Sequence, residues 1–178
     1  FQGDPGYAPG NQGHTYGLSL WIPYYGQGVY DNPRDLLYSV RSSMSPAFGF
    51  CADVRKPGVD WAAIRRIAAD WRRVAHFFLG DFHPLTPYSL DPALWMAWQF
   101  DLPEKGEGMI QVFRRDQCIY ESARLRLRGL DPAARYRVTD LDSGEARAMA
   151  GRELLERGLT VAIANQPGQA LIVYARDQ

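Results

Sequence analysis

The side chains best suited to proton transfer or metal ligation near neutral pH are three histidines, His14, His76 and His83, and their spacing forms no ligand pattern. Asp81 and His83 stand two apart in a turn-rich stretch, where a carboxylate and an imidazole beside a helix end are ordinary, so no metal site is expected there. No serine occupies a Gly-x-Ser-x-Gly turn, Ser42 and Ser43 have no identifiable base, and Gly26-Gln27-Gly28 lacks the helix that a phosphate loop requires. Carboxylates remain. Asp60 stands where a helix cap is wanted, and Asp4 sits in Gly-Asp-Pro-Gly, a turn. Asp53 closes a candidate parallel strand, the position that carries function when strands and helices alternate around a barrel; a strand-exit turn is the alternative reading. No cofactor is expected.

The elements that would position these residues fall into two styles. Residues 1–13 hold four Gly and two Pro and predict a loop. A short helix is expected between Thr15 and Pro23, then a loop over 24–33, a helical turn over 35–42 and a continuously apolar strand over 44–52 that suits a parallel sheet covered on both faces. Trp61, Ile64, Ala68, Trp71, Ala75 and Phe78 then repeat at spacings of three and four, opposite Arg65, Arg66, Asp70, Arg72 and Arg73, which predicts an amphipathic helix capped by Asp60 and stopped by Gly80. After Pro87 the period changes. Strands are expected at 95–100, 109–114, 123–128, 136–140, 159–163 and 170–174, separated by turns such as Asp142-Ser143-Gly144. In Arg124-Leu125-Arg126-Leu127-Arg128 the alternation places the leucines on one face, and Gly151 to Gly158 reads as a helical turn. This pattern is that of an antiparallel β-sandwich, with the boundary between residues 87 and 88.

Bulk composition excludes several classes. The chain has 178 residues, 46% of them hydrophobic, and twenty basic against twenty acidic side chains without a long like-charge run. A nucleic-acid or membrane partner is therefore not expected. Cys51 and Cys118 match no redox or metal spacing and read as free thiols in a reducing compartment, which with the absence of an apolar span or signal segment favours the cytoplasm. The aromatics, 13% of residues, suit a sugar-handling protein, but core packing is the commoner reason for such content. The sequence opens at Phe1 directly into loop-forming residues, and a chain cut at its front end is expected.

The order of short motifs carries more than any one of them. Asn11-Gln12-Gly13-His14-Thr15-Tyr16-Gly17-Leu18-Ser19, Pro23-Tyr24-Tyr25-Gly26, the run from Tyr38 through Arg41-Ser42-Ser43-Met44-Ser45-Pro46, Gly80-Asp81-Phe82-His83-Pro84-Leu85, Trp95-Met96-Ala97-Trp98-Gln99-Phe100, Gly106-Glu107-Gly108, Phe113-Arg114-Arg115 and Gly151-Arg152-Glu153-Leu154 follow one another along the chain. In that order they resemble the C-terminal third of glycoside hydrolase family 36, best known for bacterial α-galactosidases. The resemblance implies an α/β part, residues 1–87, that is the incomplete terminal segment of a (β/α)8 TIM barrel, followed by an antiparallel β-sandwich at 88–178. It also implies a retaining glycosidase acting on α-galactoside oligosaccharides and forming a homo-oligomer. Such an enzyme uses two aspartates about 5–5.5 Å apart, one as nucleophile and one as acid/base. In the family pattern both precede Phe1, so no catalytic residue is expected in this chain and the fragment alone should be inactive. Gln12, His14 and Tyr16, following the acid/base, could brush the substrate, as could Asp53; capping or packing accounts for each equally well. A barrel strand at 44–52 taken from its neighbours would carry two unpaired edges. The rival reading is a non-catalytic carbohydrate-binding sandwich using Trp95, Trp98 or Tyr120, although Trp95 and Trp98, three apart in a strand, face opposite sides.

Overall fold

A computed structural model describes residues 7–29, 36–50, 53, 55, 57 and 59–177. The chain divides into two compact units, Phe1–Leu79 and Gly80–Gln178. Asp4 and Cys51 lie outside the described residues.

The first unit opens with helix α1, Ala8–Ser19. The sequence expectation of a loop through residue 13 is corrected here: the helix begins at Ala8, and Pro9 sits in its first turn, where a fixed φ and a missing N–H cost nothing. Three internal glycines make the segment a poor helix by propensity. Buried Asn11, Gln12 and Thr15 compensate with hydrogen bonds to the elements below. The expected loop over 24–33 contains a strand, β1 (Gly26–Val29), paired in parallel with β2 (Ala47–Phe50) in a register from Gly26↔Ala47 to Val29↔Phe50. Helix α2, Leu36–Ser42, is the crossover that a parallel pair requires. The strand expected at 44–52 is therefore shorter and has a partner, and its residues are only half-buried or exposed instead of covered on both faces.

Helix α3, Trp61–Val74, forms where the periodicity predicts, but its buried stripe is Ala63, Ile67 and Val74, one position ahead of the expected Ile64, Ala68 and Ala75, with Trp61 exposed, and it passes into a 3₁₀ turn at Ala75–Leu79. Asp60 caps it, its Oδ1 accepting from Ala63 N at 2.9 Å. The indole of Trp71 donates to Ser45 O at 2.9 Å, and Arg41 meets Asp70 at 3.2 Å, so α3 is tied to the strand and helix before it.

The second unit is antiparallel throughout. Its larger sheet has the order β3-β4-β5-β10-β7-β8, built from β3 (Asp81–Pro84), β4 (Trp95–Leu102), β5 (Glu107–Arg114), β7 (Arg135–Asp140), β8 (Ala146–Ala150) and β10 (Gly168–Arg176). A second sheet pairs β6 (Ser122–Leu125) with β9 (Leu159–Ala162). Helix α4, Gly151–Glu156, lies between β8 and β9 in the chain. The core fills the space between the sheets: Ala97, Ile110, Val112, Val138, Ile172 and Tyr174 from the larger one meet Leu125, Leu159 and Val161 from the smaller, with Leu127 just after β6 and Leu154 of α4 among them. Burial alternates as the sequence predicts, with Leu125 and Leu127 inside and Arg124, Arg126 and Arg128 outside.

Two strands escape the sequence pattern. β3 has four residues and ends in Pro84, tolerable only because it is an edge strand. Its pairing with β4, Asp81↔Asp101 to Pro84↔Trp98, moves the structural break to Leu79, ahead of the change in periodicity at 87. β8, Ala146–Ala150, is rich in alanine and forms the opposite edge. Central strands β4 and β5 are buried on both faces, and Trp98, fully buried, lies 5.2 Å from Phe113 and donates from its indole to Gln111 Oε1 at 2.8 Å.

Candidate functional site

In the first unit one of the expected substrate-contacting residues, Gln12, enters a buried polar layer beneath α1. Gln12 is completely buried, its amide nitrogen donating to Tyr38 OH and Ser42 Oγ, each at 3.0 Å. Asn11 donates to Ser43 Oγ at 3.1 Å, and Gln27 of β1 donates to Thr15 Oγ1 at 2.8 Å. Ser45 Oγ accepts from Gln27 N and donates to Ala47 O, tying β1 to β2 through a side chain. Burial pushes the Tyr25 phenol up to about 12, partly offset by its hydrogen bonds with Ser19 and Thr15. Ser42 and Ser43 accept from amides rather than giving a proton to a base. That withdraws electron density from Oγ, the reverse of nucleophilic activation. This layer holds elements in register.

His14 and Tyr16 are half-buried on the same helix. Tyr16 is one turn from Gln12 and shares its side, whereas His14, two residues on, points away from it, so the three do not line one surface. Asp53 meets Arg55 through both carboxylate oxygens, at 2.8 Å to Nε and 3.0 Å to Nη2, and also accepts from Arg55 N. This is the geometry of a local turn closed by an ion pair.

The second unit contains a buried network that no motif announces. Tyr174 OH donates to Asp101 Oδ1 and accepts from Gln99 Nε2 at 2.6 Å. Gln99 also clamps the backbone of Arg128, donating to its O and accepting from its N, both at 2.8 Å. Burial holds the Asp101 carboxyl above its ordinary range, against the pull of Tyr174 and His83, and burial with the neighbouring carboxyl raises Tyr174. Gly129, at φ +72°, leaves no room for a Cβ, which would collide with Asp101 Oδ2. With Asp101 buried, this carboxyl is closed to a substrate. A signal was present in the sequence: Gln99, Asp101 and Gln111 interrupt otherwise apolar strands, and a polar side chain at such a position needs a built partner.

An open cavity of about 490 Å³ lies between the sheets, with Val138 and Ile172 on its wall and Asp140, Glu145, Arg147 and Thr160 among its lining. Both carboxylates come from the ends of one β7–β8 turn, where Asp140 N donates to Glu145 O and Asp140 Oδ1 accepts from Asp142 N and Ser143 N. Arg147 of the same lining reaches across to Thr160 O at 2.8 Å. Among the described residues no group of three or more His, Cys, Asp or Glu could hold a metal, and no helix is long and apolar enough to cross a membrane.

Comparison with known proteins places this geometry. Residues 95–174 match the model of the glycosyl hydrolase family 36 C-terminal domain. No curated protein matches the chain. Among solved structures, the chain superposes on the GH36 α-galactosidase AgaA of Geobacillus stearothermophilus, in a variant bound to raffinose, with a TM-score of 0.77 and 20% identity over 96% of this chain and 24% of that one. The GH36 α-galactosidase AgaB of the same organism gives a TM-score of 0.74 and 23% identity, again over 96% and 24%. The galactosidase domain of the α-galactosidase-sucrose kinase AgaSK gives 0.74 and 19%, over 96% and 25%. The chain thus spans about a quarter of the length of these proteins, and the likeness is one of fold.

Proposed function

We propose, from the premise that residues 95–174 form a glycosyl hydrolase family 36 C-terminal domain, that this chain is the C-terminal part of a retaining α-galactosidase. Residues 1–87 would complete its (β/α)8 barrel, residues 88–178 would form the sandwich that follows, and the reacting carboxylates would lie outside the chain. The supporting observation is a likeness over 96% of this chain that reaches only 24% of the matched one, joined to the fate of the acidic residues. Asp53 is held by Arg55, Asp60 caps α3, Asp70 meets Arg41 and Asp101 is buried against Tyr174. A retaining mechanism needs two carboxyls about 5–5.5 Å apart on opposite sides of the glycosidic bond. Each of the four carboxylates just named is already committed to a structural partner. The sandwich then has a structural role, supporting the barrel and the assembly of a homo-oligomer, and the parent enzyme would act on α-galactoside oligosaccharides in the cytoplasm.

The isolated 178 residues should give no turnover of an aryl α-galactoside above a buffer blank, and clear turnover would refute the reading. The cavity carboxylates supply a second check. Asp140→Asn and Glu145→Gln, placed in the parent enzyme, should leave kcat/KM within about twofold, whereas loss of an essential acid or base costs about 10²–10⁴-fold.

A further inference from the structure

The loop from Arg115 to Glu121 is held more firmly than a connection between strands requires. Buried Arg114 donates to Cys118 O through Nε at 3.1 Å and Nη2 at 3.0 Å, and through Nη1 to Ile163 O and Ala164 O, both at 2.9 Å. Buried Arg115 donates to Asp91 O at 3.0 Å, Gln166 donates to Asp116 O at 2.8 Å, and Gln117 N donates to Pro92 O at 3.1 Å. The half-buried indole of Trp95 donates to Tyr120 O at 3.2 Å, and Glu121 O accepts from Ile163 N at 2.9 Å. Two guanidinium groups are thus buried against backbone carbonyls to fix one loop, and that loop presents Ile119, 78% exposed, and Tyr120, 68% exposed, to solvent. A fixed, outward aromatic on an ordered loop has the form of a recognition element, since its ordering cost is met before any ligand arrives.

We propose that Tyr120 is the stacking platform of a subsite for a neutral oligosaccharide. The ring offers a flat apolar face to sugar C–H groups. Exposed Asp116, Gln117 and Glu121 of the same loop, with Ser122 at the start of β6, offer carboxylates, an amide and a hydroxyl of the kinds that pair with sugar hydroxyl groups, and the two carboxylates disfavour an anionic ligand. Of the three aromatics the sequence offered for such a platform, buried Trp98 is unavailable and Trp95 serves as the support under Tyr120. The subsite goes beyond the structural role proposed for the sandwich; only the choice of α-galactosides as probes rests on that reading.

The test is titration of the full 178-residue chain with raffinose, stachyose and cellotetraose to about 20 mM, followed by calorimetry and by the chemical shifts of tyrosine ring protons, a range that approaches saturation for a Kd of about 1 mM. Saturable binding of any of the three, weakened at least about tenfold by Tyr120→Ala but not by Tyr88→Ala, is the expected result. Both variants replace exposed rings, and far-ultraviolet circular dichroism should confirm that each folds. Three results would overturn the proposal: no saturable response to any sugar, equal weakening by both variants, or sugar-independent self-association that Tyr120→Ala abolishes, which would make the surface an interface between copies. Failure here leaves the turnover assay untouched, so the two readings stand or fall separately.

Discussion

At the scale of residues, the informative side chains are polar ones held inside. Gln12 donates to both Tyr38 OH and Ser42 Oγ, so Gln12→Ala leaves a void and two buried oxygens without that donor. A loss of about 1–3 kcal/mol in unfolding free energy is expected by urea denaturation. Asp101 gives a pH signature. Because burial raises its folded pKa above the ordinary 3.8, the folded chain keeps that proton to higher pH than the unfolded chain. The resulting stabilisation is complete below pH 3.8 and is lost as pH rises through the folded value. Asp101→Asn keeps an oxygen that can accept from Tyr174 but cannot ionise, so its urea midpoint should decline less than that of the natural chain between about pH 4 and pH 7; parallel curves would exclude an Asp101 contribution. At the alkaline end the sign is the same for Tyr25. Its raised pKa gives stability that is complete below 10.0 and disappears as pH climbs to about 12.

At the scale of elements, connections matter as much as the strands. Gly158 follows α4 at φ +85°, a backbone that favours glycine, and a Cβ there would stand 2.7 Å from Leu125 O in the neighbouring β6. Gly158→Ala should cost about 1–3 kcal/mol, measured as a lowered thermal midpoint, because it strains the backbone and pushes on a strand at once. A change of a few tenths would mean that the helix end relaxes freely. Asp60→Ala removes the α3 cap and should cost about 1 kcal/mol. α1 shows why such elements elude propensity. Its glycines argue against a helix, while side-chain hydrogen bonds that hold it come from residues 12 to 32 positions away, as from Thr15 to Gln27, Gln12 to Tyr38 and Asn11 to Ser43.

At the scale of the molecule, the division at Leu79 carries a prediction about truncation. A polypeptide beginning at Gly80 retains β3 and its packing of Phe82 on Phe100, with ring centroids 5.2 Å apart. One beginning at Tyr88 exposes the edge of β4 and the ring of Phe100. The first should unfold cooperatively; the second should be less stable or associate through the uncovered strand. Equal stability of the two would show that β3 contributes nothing and that the periodicity change at 87 marks the working boundary.

The sequence by itself determined what local pattern can express. The 3.6-residue repeat of α3 with its Asp60 cap, the alternation around Leu125 and Leu127, six of the eight strands of the second unit and the order of motifs pointing to glycoside hydrolase family 36 were all legible, because each depends on neighbours within a turn or a pleat. Tertiary structure alone decided the rest. It turned a glycine-rich segment into α1, gave β2 a partner in β1, made Pro84 part of an edge strand and spent Gln12 and Asp53 on internal hydrogen bonds. It also joined Gln99 and Asp101 to Tyr174, 75 and 73 positions further along the chain, in one network. The physical reason is the same in each case: a buried polar group or a strand edge is stabilised by whatever partner the folded chain brings to it, and that partner lies too far along the sequence for spacing to reveal it.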